Sequence, residues 1–284
     1  MTRPRPGRAA VLAAATAALA LAGEASAQEW RTVTMSRQLD GGGALHVVVK
    51  YGAGRFRVRP TGDGSLYRMN LRYDEEVYQP VADYESGRLR LGVEGLGKRI
   101  RVGRDDDHGE LDLELATGVP MELELDFGAV RADLDLGGLS LTDLQLRTGA
   151  SESRVDVSEP NPLELGRAKL EVGAADFSAR RLANLNAKVI EVSAGVGEVT
   201  LDLTGEWRRD ARLDVHMGLG SLQLVFPEGL GVKLVKRSFL TSLDSQGLVK
   251  RGDAYYSTDW ESAPRKLTVD VEAAFGSIDV RWVR

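Results

Sequence analysis

The residue types best suited to chemistry in this chain are carboxylates at alternate positions: Glu122, Glu124 and Asp126, then Asp133 and Asp135, with Asp202 and Asp214 further on. If neighbouring segments stack, two such acids come within reach of one another, as glycosidases and polysaccharide-cleaving β-helices need for acid and base roles. Alternation with Leu or Val is equally the pattern of a solvated strand face, where acids oppose edge aggregation. An acid/base pair is identified by geometry and a shifted pKa rather than by count, so the strand face is the expectation and no catalytic residue is assigned. The run Asp105-Asp106-Asp107-His108-Gly109-Glu110 is dense in the oxygen ligands that suit calcium, but its spacing departs from a calcium loop and predicts a charged surface turn. His46, His108 and His216 are well separated, and the strand neighbours of His216, Val215 and Met217, face the other way, leaving His216 in solvent. The chain contains no Cys, which excludes thiolate metal sites and cysteine nucleophiles. Gly218-Leu219-Gly220-Ser221 and Gly276-Ser277 are neither nucleophile elbows nor phosphate loops, because each enters a strand and not a helix. No cofactor or metal site is expected.

Binding has a better candidate than catalysis. Tyr255, Tyr256 and Trp260 cluster in a segment that is rich in hot-spot residue types. Aromatic rings also serve to cover an open core end, and the two readings stand level.

The elements that must position these residues come from a repeat. A twelve-residue phrase recurs seven times, as in VKYGAGRFRVRP from Val49, LEVGAADFSARR from Leu170, VHMGLGSLQLVF from Val215 and VEAAFGSIDVRW from Val271. Its central anchor glycines, Gly128, Gly149, Gly173, Gly195 and Gly218, are 21, 24, 22 and 23 residues apart, which sets one coil per step. Before the anchor the apolar positions alternate (Val215, Met217); after it they alternate again with the parity slipped by one (Leu222, Leu224, Phe226). A flat strand cannot change parity, so the backbone bends or bulges at the glycine. Gly52, Gly128, Gly149, Gly173, Gly195, Gly218 and Gly276 are the expected corners. The fold class expected is all-β: a stacked β-solenoid, single-strand and β-helix-like, with an irregular N-terminal cap. A leucine-rich repeat shares the period but needs a ladder asparagine and a helical or 3₁₀ return arm, whereas both arms here are strand-like. Helix signals are scarce; Glu206 to Ala211 has room for a turn or two. Lys233 to Asp259 breaks the period and is expected as an insertion before the last copy.

Residues 1–27, with Arg3, Arg5, Arg8, an apolar stretch from Ala9 to Ala22 and Ala25-Ser26-Ala27, are expected to be a secretory signal peptide. Fourteen apolar residues are short for a bilayer span, so no integral membrane segment is expected after cleavage. The remaining residues, 28–284, are expected to form one β-solenoid domain, 28–118 as the cap region and 119–284 as the repeats. Loss of the signal takes the formal charge from −5 to −7. Without basic tracts interleaved with aromatics, nucleic acid is not an expected partner. A membrane β-barrel fits poorly, because the arms are short and bent and aromatic residues make up only 6%.

The repeat phrase and the ending KRGDAYYSTDWESAPRKLTVDVEAAFGSIDVRW, from Lys250 to Trp282, resemble the toast-rack family of bacterial envelope proteins. That fold is related to the C-terminal domain of LiaF-like proteins of the cell-wall-active antibiotic response. The likeness runs from about Thr32 to Trp282, and its motifs specify a fold and not a reaction. It implies a stacked solenoid outside the cytoplasm, often linked to envelope stress sensing or protein contacts, and carries over no catalytic residue. The expected function is a non-enzymatic binding or scaffold protein of the envelope, exported to the periplasm or cell surface. Its expected partners are an envelope protein or cell-wall glycan, and sheet edges leave room for a homo-oligomer. A carbohydrate-active β-helix enzyme and a surface adhesin are the alternatives.

Overall fold

Period-two alternation carries through to sixteen strands in the computed structural model, which describes residues 29–41, 43–97 and 109–284. The expected signal peptide and the acidic stretch Asp105–His108 lie outside the described residues. The strands are β1 (Trp30–Gln38), β2 (Leu45–Thr61), β3 (Ser65–Asp74), β4 (Tyr78–Glu85), β5 (Arg88–Gly95), β6 (Glu110–Ala116), β7 (Met121–Asp135), β8 (Leu141–Thr148), β9 (Ser151–Asp156), β10 (Leu165–Arg180), β11 (Ala187–Asp202), β12 (Ala211–Pro227), β13 (Gly231–Asp244), β14 (Leu248–Arg251), β15 (Ala254–Ser257) and β16 (Lys266–Val283). Among the described residues the protein is all-β apart from one 3₁₀ turn, Leu182–Leu185. No helix forms from Glu206 to Ala211; that stretch is an irregular return between β11 and β12.

One parallel ladder forms the centre of the sheet. β2, β7, the pair β8 and β9, β10, β11, β12, β16 and β13 lie side by side as rungs. Register is kept across them, so that Val192 opposes Val215 and Val215 opposes Val271. In β12 the buried residues are Leu213, Val215 and Met217, then Leu222, Leu224 and Phe226, so the parity slip is real. Residues from before and after the slip join a single core, which means that the sheet folds its apolar face inward at each hinge.

Two glycine columns make the hinge, for different reasons. The anchors Gly128, Gly149, Gly173, Gly195 and Gly218 do not adopt left-handed backbone, contrary to the expected use of φ > 0. Gly128, Gly173, Gly195 and Gly218 are glycine because the rungs pack closely there: a Cβ on Gly195 would lie 2.9 Å from the carbonyl oxygen of Gly173, and one on Gly218 2.5 Å from that of Gly195, whereas one on Gly149 would come no nearer than 3.5 Å to any atom. Left-handed backbone occurs two residues on, at φ +142° for Gly220 and +137° for Gly276. Gly276 therefore belongs to this second column, in register with Gly220, and Ala274 stands at the anchor position of its rung.

The last copy of the repeat is not the last rung. β16 inserts between β12 and β13, so the segment read as an insertion contributes a full bent rung of its own. β13 has no corner glycine: Thr241 is in register with Gly276 of β16. The hairpin of β14 and β15 extends only its first arm, through Lys233–Val235; among the described residues the rest of its outer edge has no strand partner. β14 is four residues long and carries Lys250 and Arg251, which keeps that edge from pairing further. At the other end β4 and β5 extend the first arm of β2, and β6, β3 and β1 extend its second arm.

Buried asparagines hold the return segments. Asn161 Nδ2 donates to the carbonyls of Leu141 (2.9 Å) and Leu185 (3.1 Å), and Asn184 Nδ2 donates to that of Val157 (2.8 Å). Asn186 Nδ2 donates to the carbonyl of Leu163 at 2.7 Å. The two features cited against a leucine-rich repeat, ladder asparagines and a 3₁₀ return, are thus present on the return side, while both flanking arms remain sheet.

Candidate functional site

Stacking brings carboxylates together, but with arginine between them. Glu191, Asp214 and Asp270 occupy one register column on three successive rungs. Arg212 reaches Asp214 at 2.7 Å and Asp270 at 3.0 Å, Arg237 lies 3.7 Å from Asp270, and Arg167 lies 3.4 Å from Glu191. One guanidinium is thus shared between the two carboxylates, so neither is set apart from the other as an acid/base pair requires. The other acids are held in similar ways. Glu124 and Asp126 lie 3.6 and 3.9 Å from Arg147, and Asp133 is in register with Arg57 and Arg154. Asp135 accepts from the Ser158 hydroxyl at 2.8 Å and Asp202 from the Thr204 amide at 2.9 Å. His46 lies 3.5 Å from Glu124, and the exposed His216 3.2 Å from Glu272. Among the described residues no three His, Asp or Glu side chains converge as a metal site would require.

One acid missed in the sequence stands apart. Asp143 is in register with Glu122, and burial, then Glu122 and Glu124, push its carboxyl above the usual range, with Arg167 opposing. A folded-state pKa above the unfolded value means that the proton is held more tightly in the fold. The contribution of this group is then most favourable below the unfolded pKa and is lost as pH rises through the folded one. Asp143→Asn is accordingly expected to raise stability at pH 7, by less than about 1 kcal/mol because the group is largely solvated, and to leave it unchanged near pH 3. Urea denaturation at the two pH values checks both the sign and its disappearance.

A groove of about 1350 Å³ crosses the rungs along the anchor column, with Gly52, Gly128, Gly149, Gly173, Gly195 and Gly218 in its lining. Eight rungs at a strand spacing of ~4.8 Å give it a length of roughly 34 Å. Two residues before each hinge, one wall side chain is contributed per rung: Lys50, Asp126, Arg147, Glu171, Ser193, His216, Glu272 and Arg237, each in register with the next. Charge alternates from Lys50 to Glu171 and again between Glu272 and Arg237, with Ser193 and His216 between the two runs, and the acids have cationic neighbours. Arg237 donates to Glu272 at 3.0 Å and holds its carboxyl below the usual range. Glu171 is lowered first by Lys169 at 2.7 Å. At the N-terminal end of the groove sit Tyr51 and Tyr78, whose buried hydroxyls have no hydrogen-bond partner among the described residues. Burial, then the neighbouring Tyr78, Glu110 and Asp112, push the Tyr51 phenol well up.

The aromatic cluster falls on the β14–β15 hairpin and the turn after it, and the structure divides it. Tyr255 is in register with Leu234 and packs on the core, as a cap residue does. Tyr256 is in register with Lys233 on the other face and meets Trp260 edge to face at 5.5 Å.

The chain belongs to the toast-rack family. The family described as N-terminal domain of toast_rack, DUF2154, matches residues 24–176 and 162–225, which together span well over half of the sequence. A solved structure from Clostridium sporogenes, of a protein provisionally assigned to cell adhesion, is 18% identical, covering 90% of this chain and 100% of that one with a TM-score of 0.49. A provisionally assigned adhesin from Bacteroides fragilis is 14% identical, covering 88% and 97%, with a TM-score of 0.35. A protein from Parabacteroides distasonis provisionally assigned to lipid binding is 9% identical, covering 88% and 97%, with a TM-score of 0.27. Likenesses of this strength bear on neither activity nor partner. No curated protein matches the chain. Among the described residues no helix is long and apolar enough to cross a membrane.

Proposed function

We propose that the protein is an exported, non-enzymatic binding and scaffold protein of the bacterial envelope. Its ladder is a short stacked solenoid whose surfaces make contact with cell-wall glycan or another envelope component. The observation that carries this reading is the long groove, whose wall charges are already neutralised and whose floor is held open by glycine. A polyanion or polycation finds no net field there. An uncharged chain rich in hydroxyls finds alternating donors and acceptors once per rung, and a pyranose ring is about as long as one rung spacing of ~4.8 Å. Tyr255, Tyr256 and Trp260 are proposed as a second contact at the capped end, and the uncovered outer edge of β13 as the place for any homo-oligomer contact.

The test is co-sedimentation of the purified protein with isolated cell-wall sacculi. Ser193→Trp fills the middle of the groove from its solvent side and is expected to weaken binding by about tenfold with an unchanged melting temperature. Failure to sediment with sacculi, or binding by Ser193→Trp at full strength, would remove the groove from the proposal. Turnover of a polysaccharide that is abolished by Asp202→Asn or Asp214→Asn would replace the whole reading with an enzymatic one.

A further inference from the structure

The outer face of the β14–β15 hairpin reverses the charge of the protein around it. The chain carries a formal net charge of −5, yet from Gly231 to Lys266 there are seven lysines and arginines against four carboxylates. Three of these cations surround the Tyr256–Trp260 pair. Lys233 Nζ lies 6.0 Å and the Arg251 guanidinium 5.7 Å from the centre of the Tyr256 ring, and Lys266 Nζ lies 5.2 Å from that of Trp260. Arg251 has the highly exposed Glu261 at 3.7 Å. Among the described residues neither Lys233 nor Lys266 has a carboxylate at ion-pair distance, in contrast to Arg212, which is engaged by two.

A ring face positions a cation but neutralises it only weakly, so these ammonium groups are held in place with most of their charge unanswered. Their positions are fixed by two different rungs, β13 and β16, together with the hairpin, so the arrangement is a product of the fold and not of one flexible loop. Resting on the reading of the chain as an envelope contact protein, we propose that Lys233, Arg251 and Lys266, set around Tyr256 and Trp260, bind an acidic polysaccharide. The cations take its anionic groups, and the aromatic pair takes the apolar face of a sugar ring. A neutral glycan leaves the cations unanswered, and a polyanion without sugar rings leaves the aromatic pair unused; an acidic sugar polymer engages both.

The probes are polygalacturonate, dextran and polyglutamate, titrated into the purified Ser193→Trp protein, whose groove is filled, with tryptophan fluorescence and calorimetry as readouts. Polygalacturonate is expected to bind, dextran to bind at least about tenfold more weakly, and the polygalacturonate affinity to fall as salt is raised. The double variant Lys233→Glu, Lys266→Glu is expected to lose at least about tenfold in affinity at an unchanged melting temperature. Trp260→Ala is expected to weaken polygalacturonate and leave polyglutamate unchanged. No binding of polygalacturonate, equal binding of dextran, or full binding by the charge-reversed variant overturns the proposal. So does polyglutamate binding as tightly as polygalacturonate, with Trp260→Ala indifferent to both, since that is a bare polyanion site. If polygalacturonate does not bind while the unsubstituted protein sediments with sacculi and Ser193→Trp does not, the groove reading stands and only the acidic-glycan site has failed.

Discussion

Gly276→Ala is expected to destabilise the protein by about 4 kcal/mol or more, a large share of the roughly 5–15 kcal/mol that holds a domain together. Two independent costs meet at this residue. Its φ of +137° is a conformation that a residue with a Cβ occupies only at a cost of about 1–3 kcal/mol. The added Cβ would also run into the carbonyl oxygen of Gly220 and lie 2.8 Å from its carbonyl carbon. β16 cannot move aside, because β12 pairs with it on one flank and β13 on the other. Three further alanine substitutions separate the terms. At Gly229 the φ is +83° with nothing within 4 Å of the new methyl, so only the conformational cost of about 1 kcal/mol applies. Gly218 carries only the steric cost, with its Cβ 2.5 Å from the Gly195 oxygen, about 1–3 kcal/mol. Gly149 carries neither, since its nearest neighbour is the Gly128 oxygen at 3.5 Å, and its change is expected within about 0.5 kcal/mol. Urea denaturation of the four variants gives the ranking. Should Gly149→Ala cost as much as Gly276→Ala, the account of the two glycine columns is wrong.

Those columns show what was legible in the sequence and what was not. The parity slip in VHMGLGSLQLVF is a local signal, and the burial of Met217 and Leu222 on one core follows from it directly. Why the anchor is glycine is not local: the clash that excludes a Cβ comes from a rung more than twenty residues away. β13 was unreadable for the converse reason. It carries no glycine at the hinge, so a search for the repeat phrase passes over Arg237–Asp244 and takes it for an insertion. The groove wall is assembled from residues that look ordinary one at a time; only aligning Lys50, Asp126, Arg147 and Glu171 by their anchors exposes the alternating sign. Tyr256 and Trp260 stood out by composition, but two of the cations around them, Lys233 and Lys266, come from other strands. Asn161 sits between Pro160 and Pro162, where an asparagine reads as an ordinary turn residue. The clue was its distance from Asn184, 23 residues, one coil step of the glycine period.

That asparagine carries the second large effect. Asn161 is 1% exposed, and its side-chain amide uses its full capacity. Nδ2 donates to Leu141 and Leu185 carbonyls, and Oδ1 accepts from the Leu141 amide at 3.1 Å and the Leu163 amide at 3.2 Å. Three return segments are tied through one residue. Asn161→Ala leaves those backbone groups buried without partners and is expected to cost about 3–4 kcal/mol, against almost nothing for Asn70→Ala at an exposed strand position. Asn161→Asp separates hydrogen bonding from volume. At neutral pH its carboxylate would face the two carbonyl oxygens that the amide served, so it is expected to be the more damaging variant. Burial raises the folded pKa of such an acid, so the stability of the protonated form is present below the unfolded value of about 3.9 and lost as pH rises through the folded one. The penalty of Asn161→Asp relative to the unsubstituted protein should therefore shrink between pH 7 and pH 3.5, while that of Asn161→Ala stays constant. Denaturation midpoints at the two pH values decide it: a pH-independent penalty for Asn161→Asp, or an Asn161→Ala cost below about 1 kcal/mol, would show that the return segments are held by packing and not by this amide.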